Sequence, residues 1–199
     1  SSGLYVFSPP TLQTHSYFPR ELDNKSLSDW QIFSIYEDQA GLIWVGTNNG
    51  LNLFDPIHEN FIRFTHSALN PDSLSDNVIN TIIQDQSGVV WFLTNNGINT
   101  MDISNKQFLQ YHNEPGQNDS LINNQISAIL EDRNGNIWIG TQNGLDRFDR
   151  RINHYRHFRA NVDDPNGLSD DAISAILEDD SGNLWFGTES AGLNLYQPE

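Results

Sequence analysis

The chain has 199 residues, enough for one ordinary domain with a real core, and no cysteine, which excludes disulfides, zinc-thiolate sites and thiol catalysis. Ten basic against 26 acidic residues give a formal charge of −16, so the surface repels nucleic acid phosphates and anionic lipid, and neither is expected as a partner. No run of about 18 apolar residues occurs, so no membrane-spanning helix and no membrane contact are expected.

The chain opens with a leading half-blade over residues 3–25, in which Gly3-Leu4-Tyr5-Val6-Phe7 and Thr14 to Phe18 read as strands. Three whole repeats follow at 26–72, 73–119 and 120–166, and a last one at 167–199 lacks its outer strand. Trp44, Trp91, Trp138 and Trp185 mark these repeats at a constant 47-residue spacing. Each tryptophan closes an Asp-x-x-Gly-x-x-Trp phrase that begins at Asp38, Asp85, Asp132 or Asp179. A period of 40 to 50 residues means one supersecondary unit copied in tandem.

The second repeat shows the unit. Ser73 to Asn77 is a polar turn, and Val78 to Ile83 is rich in β-branched residues, as a short strand requires. Ile79 and Ile82 would point to opposite faces of a regular strand, which is expected where both faces are buried. Asp85-Gln-Ser-Gly88 reads as a hairpin turn, Val89 to Thr94 as the second strand and Asn95-Asn96-Gly97 as another turn. Ile98 to Ile103 and Gln107 to His112 supply strands three and four. The Ile126-Ser-Ala-Ile129 spacing also fits a helical turn, but the run stops after about seven residues, below the usual helix length. The reading is an all-β protein, a β-propeller of four-stranded antiparallel blades with about four blades present.

The phase of the repeat is informative. Gly3 to Phe7 aligns with Gly50 to Phe54, and Gly192 to Tyr196 ends the chain in the same third strand. A ring of four blades completed by residues 14–18 is one solution, but it leaves a strand in surplus. A segment of a larger propeller fits better, with open edges that invite self-association. Ser1-Ser2-Gly3-Leu4 has no signal-peptide pattern, and the phase leads us to expect that upstream sequence has been trimmed.

The phrase Leu-Ser-Asp-Asn, then Ile-x-x-Asp-x-x-Gly-x-x-Trp-x-Gly-Thr-x-x-Gly-Leu, resembles the two-component regulator propeller repeat over nearly all of residues 3–199. The departures are Leu93 in place of glycine, Ile122 in place of serine and an inserted Ala191. The resemblance implies the periplasmic sensor half of a bacterial histidine kinase, hybrid regulator or diguanylate cyclase, with no catalysis of its own and no cofactor.

The chemical candidates are few. Asp132 to Asn136 faintly resembles a calcium loop but lacks the remaining oxygen ligands and the terminal glutamate, so no metal is expected. In the repeat phrase, aspartate reads as a hairpin cap and tryptophan as a wedge between blades. The pairs Asp163-Asp164, Asp170-Asp171 and Asp179-Asp180 sit in turns, where carboxylates are usually solvated rather than poised for glycoside hydrolysis. His154 and His157 have metal-like spacing but read as a solvated face.

The positions that differ between copies lie in two loop sets of one propeller face. The first holds Asp29-Trp30, Asp76-Asn77, Asn123-Asn124 and Asp170-Asp171. The second holds Asn48-Asn49, Asn95-Asn96, Gln142-Asn143 and Glu189-Ser190. Amides and carboxylates suit a polar small molecule or glycan, so Asp29, Trp30, Asn48, Asn49, Asn77, Asn95, Asn96, Asn124, Asn143 and Asp171 form the candidate ligand set. Trp30, the one tryptophan outside the 47-residue series, reads either as a stacking plate or as packing at an array edge. The rival functions are a protein–protein assembly module and, further off, a carbohydrate-active propeller enzyme.

Overall fold

The computed structural model describes residues 3–9, 12–102, 106–161, 163–164 and 166–198. Their strands are β1 (Leu4–Ser8), β2 (Gln13–Tyr17), β3 (Ile32–Glu37), β4 (Ile43–Thr47), β5 (Gly50–Asp55), β6 (Asn60–Phe64), β7 (Ile79–Gln84), β8 (Val90–Thr94), β9 (Gly97–Asp102), β10 (Gln107–Tyr111), β11 (Ile126–Glu131), β12 (Ile137–Thr141), β13 (Gly144–Asp149), β14 (His154–Phe158), β15 (Ile173–Glu178), β16 (Leu184–Thr188) and β17 (Leu193–Tyr196). Strands β3–β6, β7–β10 and β11–β14 form three four-stranded sheets, β15–β17 a three-stranded one, and β1–β2 a two-stranded one. The pairings are antiparallel between chain neighbours, as in propeller blades. The predicted third strand from Ile98 to Ile103 runs past the described residues at its end, since residue 103 lies outside them.

The repeated aspartate has a second task that the sequence did not disclose. Asp38 Oδ1 accepts the amides of Ala40 and Leu42 at 3.0 and 2.9 Å, capping the hairpin turn. Its Oδ2 accepts the indole N–H of Trp44 at 2.9 Å. The same carboxylate–indole bond recurs at Asp85–Trp91 (2.6 Å), Asp132–Trp138 (2.9 Å) and Asp179–Trp185 (2.9 Å). One side chain thus closes the turn and fixes the ring, and a buried indole N–H needs such a partner. Gly135, at φ +79°, takes the left-handed conformation that this turn demands.

Contacts divide the chain into two compact units, one of Ser1–Asn95 with Asn99–Gln110 and one of Asn96–Ile98 with Tyr111–Glu199. In the first unit, Trp44 packs edge-on against Phe92 of the next blade at 5.2 Å, within a core that includes Leu51, Leu74, Ile79 and Phe108. A second core joins Leu4, Leu27, Val45 and Phe61, against which Tyr17 packs. In the second unit, Trp138 meets Phe158 of its own blade and Phe186 and Tyr196 of the next. Trp44 and Trp138 are therefore wedges between adjacent blades. The turn is also held from the neighbouring sheet: Gln84 Oε1 accepts the Gln39 amide at 2.7 Å, and Glu178 Oε2 accepts the Arg133 amide at 2.9 Å.

One expectation is corrected. Ile79 and Ile82 do not point to opposite faces. Ile79 pairs with Thr94 and Ile82 with Phe92, and a register shift between Ile79 and Thr81 absorbs the extra residue as a bulge. Thr94 and Phe92 share a face of β8, so their partners do too. Both isoleucines accordingly lie in the same core cluster. The bulge recurs at the start of β3, β11 and β15, so it belongs to the repeat.

Candidate functional site

The loops that enter the innermost strands are built alike. Asp29 Oδ1 accepts the amide of Gln31 at 2.8 Å, Asp76 that of Val78 at 2.7 Å, Asn123 that of Gln125 at 2.7 Å and Asp170 that of Ala172 at 3.2 Å. These are Asx turns, local bonds that aspartate and asparagine make with the backbone two residues on. The Ser190 hydroxyl also bonds Asp170, and these bonds hold the Asp170 carboxyl below the ordinary range.

The residue after each turn reaches further. Asn77 Oδ1 accepts the amide of His66 at 2.7 Å, Asn124 Oδ1 that of Asn113, and Asp171 Oδ1 that of Ala160 at 2.7 Å. Residues 66, 113 and 160 stand 47 apart, so one bond fastens each outer strand's exit to the next loop. One repeat earlier the donor position is Pro19, which has no amide hydrogen. There the acceptor is replaced by Trp30, whose ring stacks on Phe18 at 5.5 Å with an interplanar angle of 29°. Phe18 in turn meets Tyr5 edge-on at 5.8 Å. Trp30 still has 45% of its surface exposed.

The second loop set lies beside the first. The Asn48 amide donates to Gln31 O at 3.1 Å, that of Gln142 to Gln125 O at 3.1 Å, and that of Glu189 to Ala172 O at 2.9 Å. In the first unit this sets the turn of Asn48 and Asn49, both exposed, against the loop of Asp29 and Trp30, and the Gly50 amide ties the same turn to Asn77 O at 2.7 Å. The other candidates are engaged to differing degrees. Asn95 Oδ1 accepts from Asn80 Nδ2 at 2.9 Å, and in the second unit Asn96 Oδ1 accepts from Asn124 Nδ2 at 3.0 Å. The backbone N–H of Asn143 donates to Thr141 Oγ1 at 3.0 Å, with the side chain half-buried. The structure thus sets the Asn48-Asn49 turn beside the loop of Asp29 and Trp30, and separately joins Asn96 to Asn124, while Asn77 and Asp171 serve as inter-strand fasteners.

The catalytic and metal candidates do not converge. Asp170 and Asp171 carry the turn bonds above, and Asp163 and Asp180 are exposed. Trp185, Asn183 and backbone amides hold Asp179 down at about 2, the state of a fully ionised acceptor. His154 bonds Asp119 at 2.7 Å and His157 bonds Asp146 at 2.6 Å, so the two rings serve different carboxylates. Among the described residues no group of three or more histidines and carboxylates could hold a metal ion.

Sequence reasoning missed the Pro19–Trp30 exchange and the Asp146–His157 pair. Both carry a readable signal once the repeats are stacked: a residue that breaks a column, with a second break at the position it would have bonded.

The two-component regulator propeller profile matches residues 26–49, 73–96, 120–143 and 167–190, each running from the polar turn through the first hairpin. The chain belongs to the two-component regulator propeller repeat family. Among solved structures, these repeats superpose on the extracellular domain of the hybrid two-component system BT4673 of B. thetaiotaomicron, with TM-score 0.78 and 25% identity over 100% of this chain. They span 25% of that domain. PorZ, a surface component of the type IX secretion system of Porphyromonas gingivalis, gives TM-score 0.68 and 18% identity over 98% of this chain and 29% of its own. Virginiamycin B lyase from Staphylococcus aureus gives 0.58 and 15% over 97% of this chain and 62% of its own, a likeness of fold alone. No curated protein matches the chain. The fold and family are those of the propeller sensor domains of two-component systems.

Proposed function

We propose that this propeller segment is a non-catalytic receiving surface of a bacterial two-component sensor, outside the cytoplasmic membrane, and that it recognises a polar small molecule or glycan. The observation that carries this reading is the pair of adjoining loops that bear Trp30 and Asn48-Asn49, joined by the bond from the Asn48 amide to Gln31 O. A half-exposed aromatic ring and two exposed carboxamides on adjoining loops supply the chemistry that stacks on a sugar ring and bonds its hydroxyls. The extracellular placement of the BT4673 domain supports the periplasmic reading. A panel of glycans and polar metabolites, screened by thermal melting, tests it: a ligand raises the melting temperature of the wild type and not of Trp30→Ala. A wild-type melt unmoved by the whole panel would count against ligand recognition.

A second reading rests on the apolar strands that lie open. Tyr5, Phe7, Leu193 and Leu195 are 55%, 56%, 63% and 49% exposed, and among the described residues β17 pairs with β16 alone. Such edges pair with other chains. In this reading the repeats assemble and the signal passes as a rearrangement of subunits. Sedimentation distinguishes it: a dimer or larger species dissociated by Leu195→Lys supports assembly, and a monomer at all concentrations refutes it.

A further inference from the structure

One column of the repeat holds a polar residue on the third strand of each blade, Asn52, Asn99, Asp146 and Asn194, and the first three are buried. In the first blade Asn52 Oδ1 accepts the Ser28 amide at 2.9 Å and its Nδ2 donates to the Ser28 hydroxyl at 2.7 Å. Asn99 makes the same two bonds to Ser75, at 2.9 and 2.8 Å. A residue of the outer strand completes the arrangement by donating to carbonyls of the incoming loop. Arg63 reaches Ser26 O and Leu27 O, and Gln110 reaches Pro71 O and Ser73 O. In these blades no member of the network gains or loses a proton near neutral pH.

The third blade changes all three members together. Asparagine becomes Asp146, serine becomes Ile122, and the arginine or glutamine becomes His157. Asp146 is fully buried, and its Oδ2 still accepts the residue-122 amide, at 2.8 Å. Ile122 has no hydroxyl, so Oδ1 turns to His157 Nδ1 at 2.6 Å. His157 Nε2 lies 2.8 Å from Asn118 O, the carbonyl equivalent to Pro71 O one repeat earlier.

Proton counting decides the rest. A carbonyl oxygen only accepts, so Nε2 must carry a hydrogen. The short Nδ1–Oδ1 contact then needs a second proton, on Nδ1 as imidazolium against carboxylate or on Oδ1 of a carboxylic acid. Without it, a bare Nδ1 lone pair would face a carboxylate oxygen in a buried site. We propose that Asp146 and His157 share this proton, and that it latches the loop of residues 118–122 to the third blade, releasing the loop as pH rises.

The surroundings bear on the latch. Burial pushes the Asp146 carboxyl above its ordinary range, against the Ile122 amide, His157 and Arg159, which favour the ionised form. Tyr155, on the same strand as His157, is buried and its phenol is pushed up as well, so it stays neutral. Asp119, at the loop itself, is paired with His154 at 2.7 Å on the exposed side. Asp146 pairs with Ile139 of β12, and Arg156, Arg159 and Asp164 line the same cavity as His157.

The loop leads directly into Asn123 and Asn124, so its release would move those residues of the candidate ligand face. The latch itself does not depend on ligand recognition. Asp146→Asn is the informative variant, because it restores the residue of the other blades. Its carboxamide still accepts the Ile122 amide and donates to a bare Nδ1, so the contact needs no proton shared with a carboxylate. The experiment is amide hydrogen exchange of the full chain between pH 6 and 9, corrected for the intrinsic rate. In the wild type, protection at Ile122 falls with pH, by up to about tenfold per pH unit for one proton released. In Asp146→Asn it does not fall, while Ser75, whose amide donates to Asn99 at the matching position of the second blade, stays flat in both proteins. Equal pH dependence at Ile122 in the two proteins, or a flat profile in the wild type, overturns the latch. Should Asp146→Asn not fold, His157→Gln, which carries the side chain found at Gln110, supplies the same comparison.

Discussion

Removing the carboxylate of Asp132 tests the shared aspartate–tryptophan device in a blade where both partners are buried. Asp132 is 3% and Trp138 2% exposed. Asp132 Oδ1 accepts the amides of Asn134 and Asn136, each at 2.9 Å, and Oδ2 accepts the Trp138 indole at 2.9 Å. In Asp132→Ala the indole N–H is left without its acceptor in a dry site, which costs about 1–3 kcal/mol. The two turn amides lie partly in reach of water, and losing their cap costs about 1 kcal/mol more, as at a helix N-cap. The sum of roughly 2–4 kcal/mol corresponds to a fall of about 5–15 °C in melting temperature for a chain of this length. Differential scanning calorimetry measures it, with Asp163→Ala as an exposed control expected to change stability by no more than about 0.5 kcal/mol. An Asp132→Ala melt indistinguishable from that control would refute the reasoning that one carboxylate ties turn and ring together.

Three further outcomes are expected. A Cβ added at Gly140 would lie 2.6 Å from Ile173 Cγ2 of the next sheet, so Gly140→Ala should lose about 1–3 kcal/mol in denaturant unfolding, and an unchanged midpoint would contradict the close approach. Asp179 sits at about 2 in the folded chain, below its value of about 3.9 when unfolded. Its contribution is therefore complete above the unfolded value and lost as pH falls from about 4 towards 2; carboxyl carbon NMR should show its midpoint near the lower end, and a midpoint near 4 would remove the indole bond from the account. Trp30→Asn alone should destabilise the first unit modestly through loss of its stack on Phe18, by about 0.5–1.5 kcal/mol. Adding Pro19→Ala supplies the missing amide and should restore stability through the bond seen between Asn77 and His66, with chemical denaturation as the readout; an additive loss in the double variant would show that the two positions are not exchanged partners.

The blades were legible because their signals are local and repeated. Tryptophan spacing, the Asp-x-x-Gly turn and β-branched runs of five or six residues each act within a hairpin, and the strands formed where those runs lie. The bulge was not legible, because it depends on which residues pair across strands. A chain read alone shows Ile79 and Ile82 three apart and says nothing about a residue skipped between them. Trp30 was singled out by breaking the tryptophan rhythm, but its stack on Phe18 follows from Pro19, a residue that looks unremarkable until it is aligned with His66, Asn113 and Ala160. Most candidate asparagines proved to be engaged by bonds over 11 to 28 residues, such as Asn77 to His66 and Asn124 to Asn96. Such bonds form only after the loops have been brought together by folding.

The central claim is that the loop face around Trp30 receives a polar ligand, and the four repeat tryptophans do not. Indole nitrogen NMR of the 15N-labelled chain separates the five rings, since Trp44, Trp91, Trp138 and Trp185 each donate to an aspartate and Trp30 does not share that bond. Titration with a ligand from the panel should move the Trp30 signal together with the side-chain amides of Asn48 and Asn49, and leave the four repeat indoles in place. Binding that shifts other residues while the Trp30 signal stays fixed would contradict it.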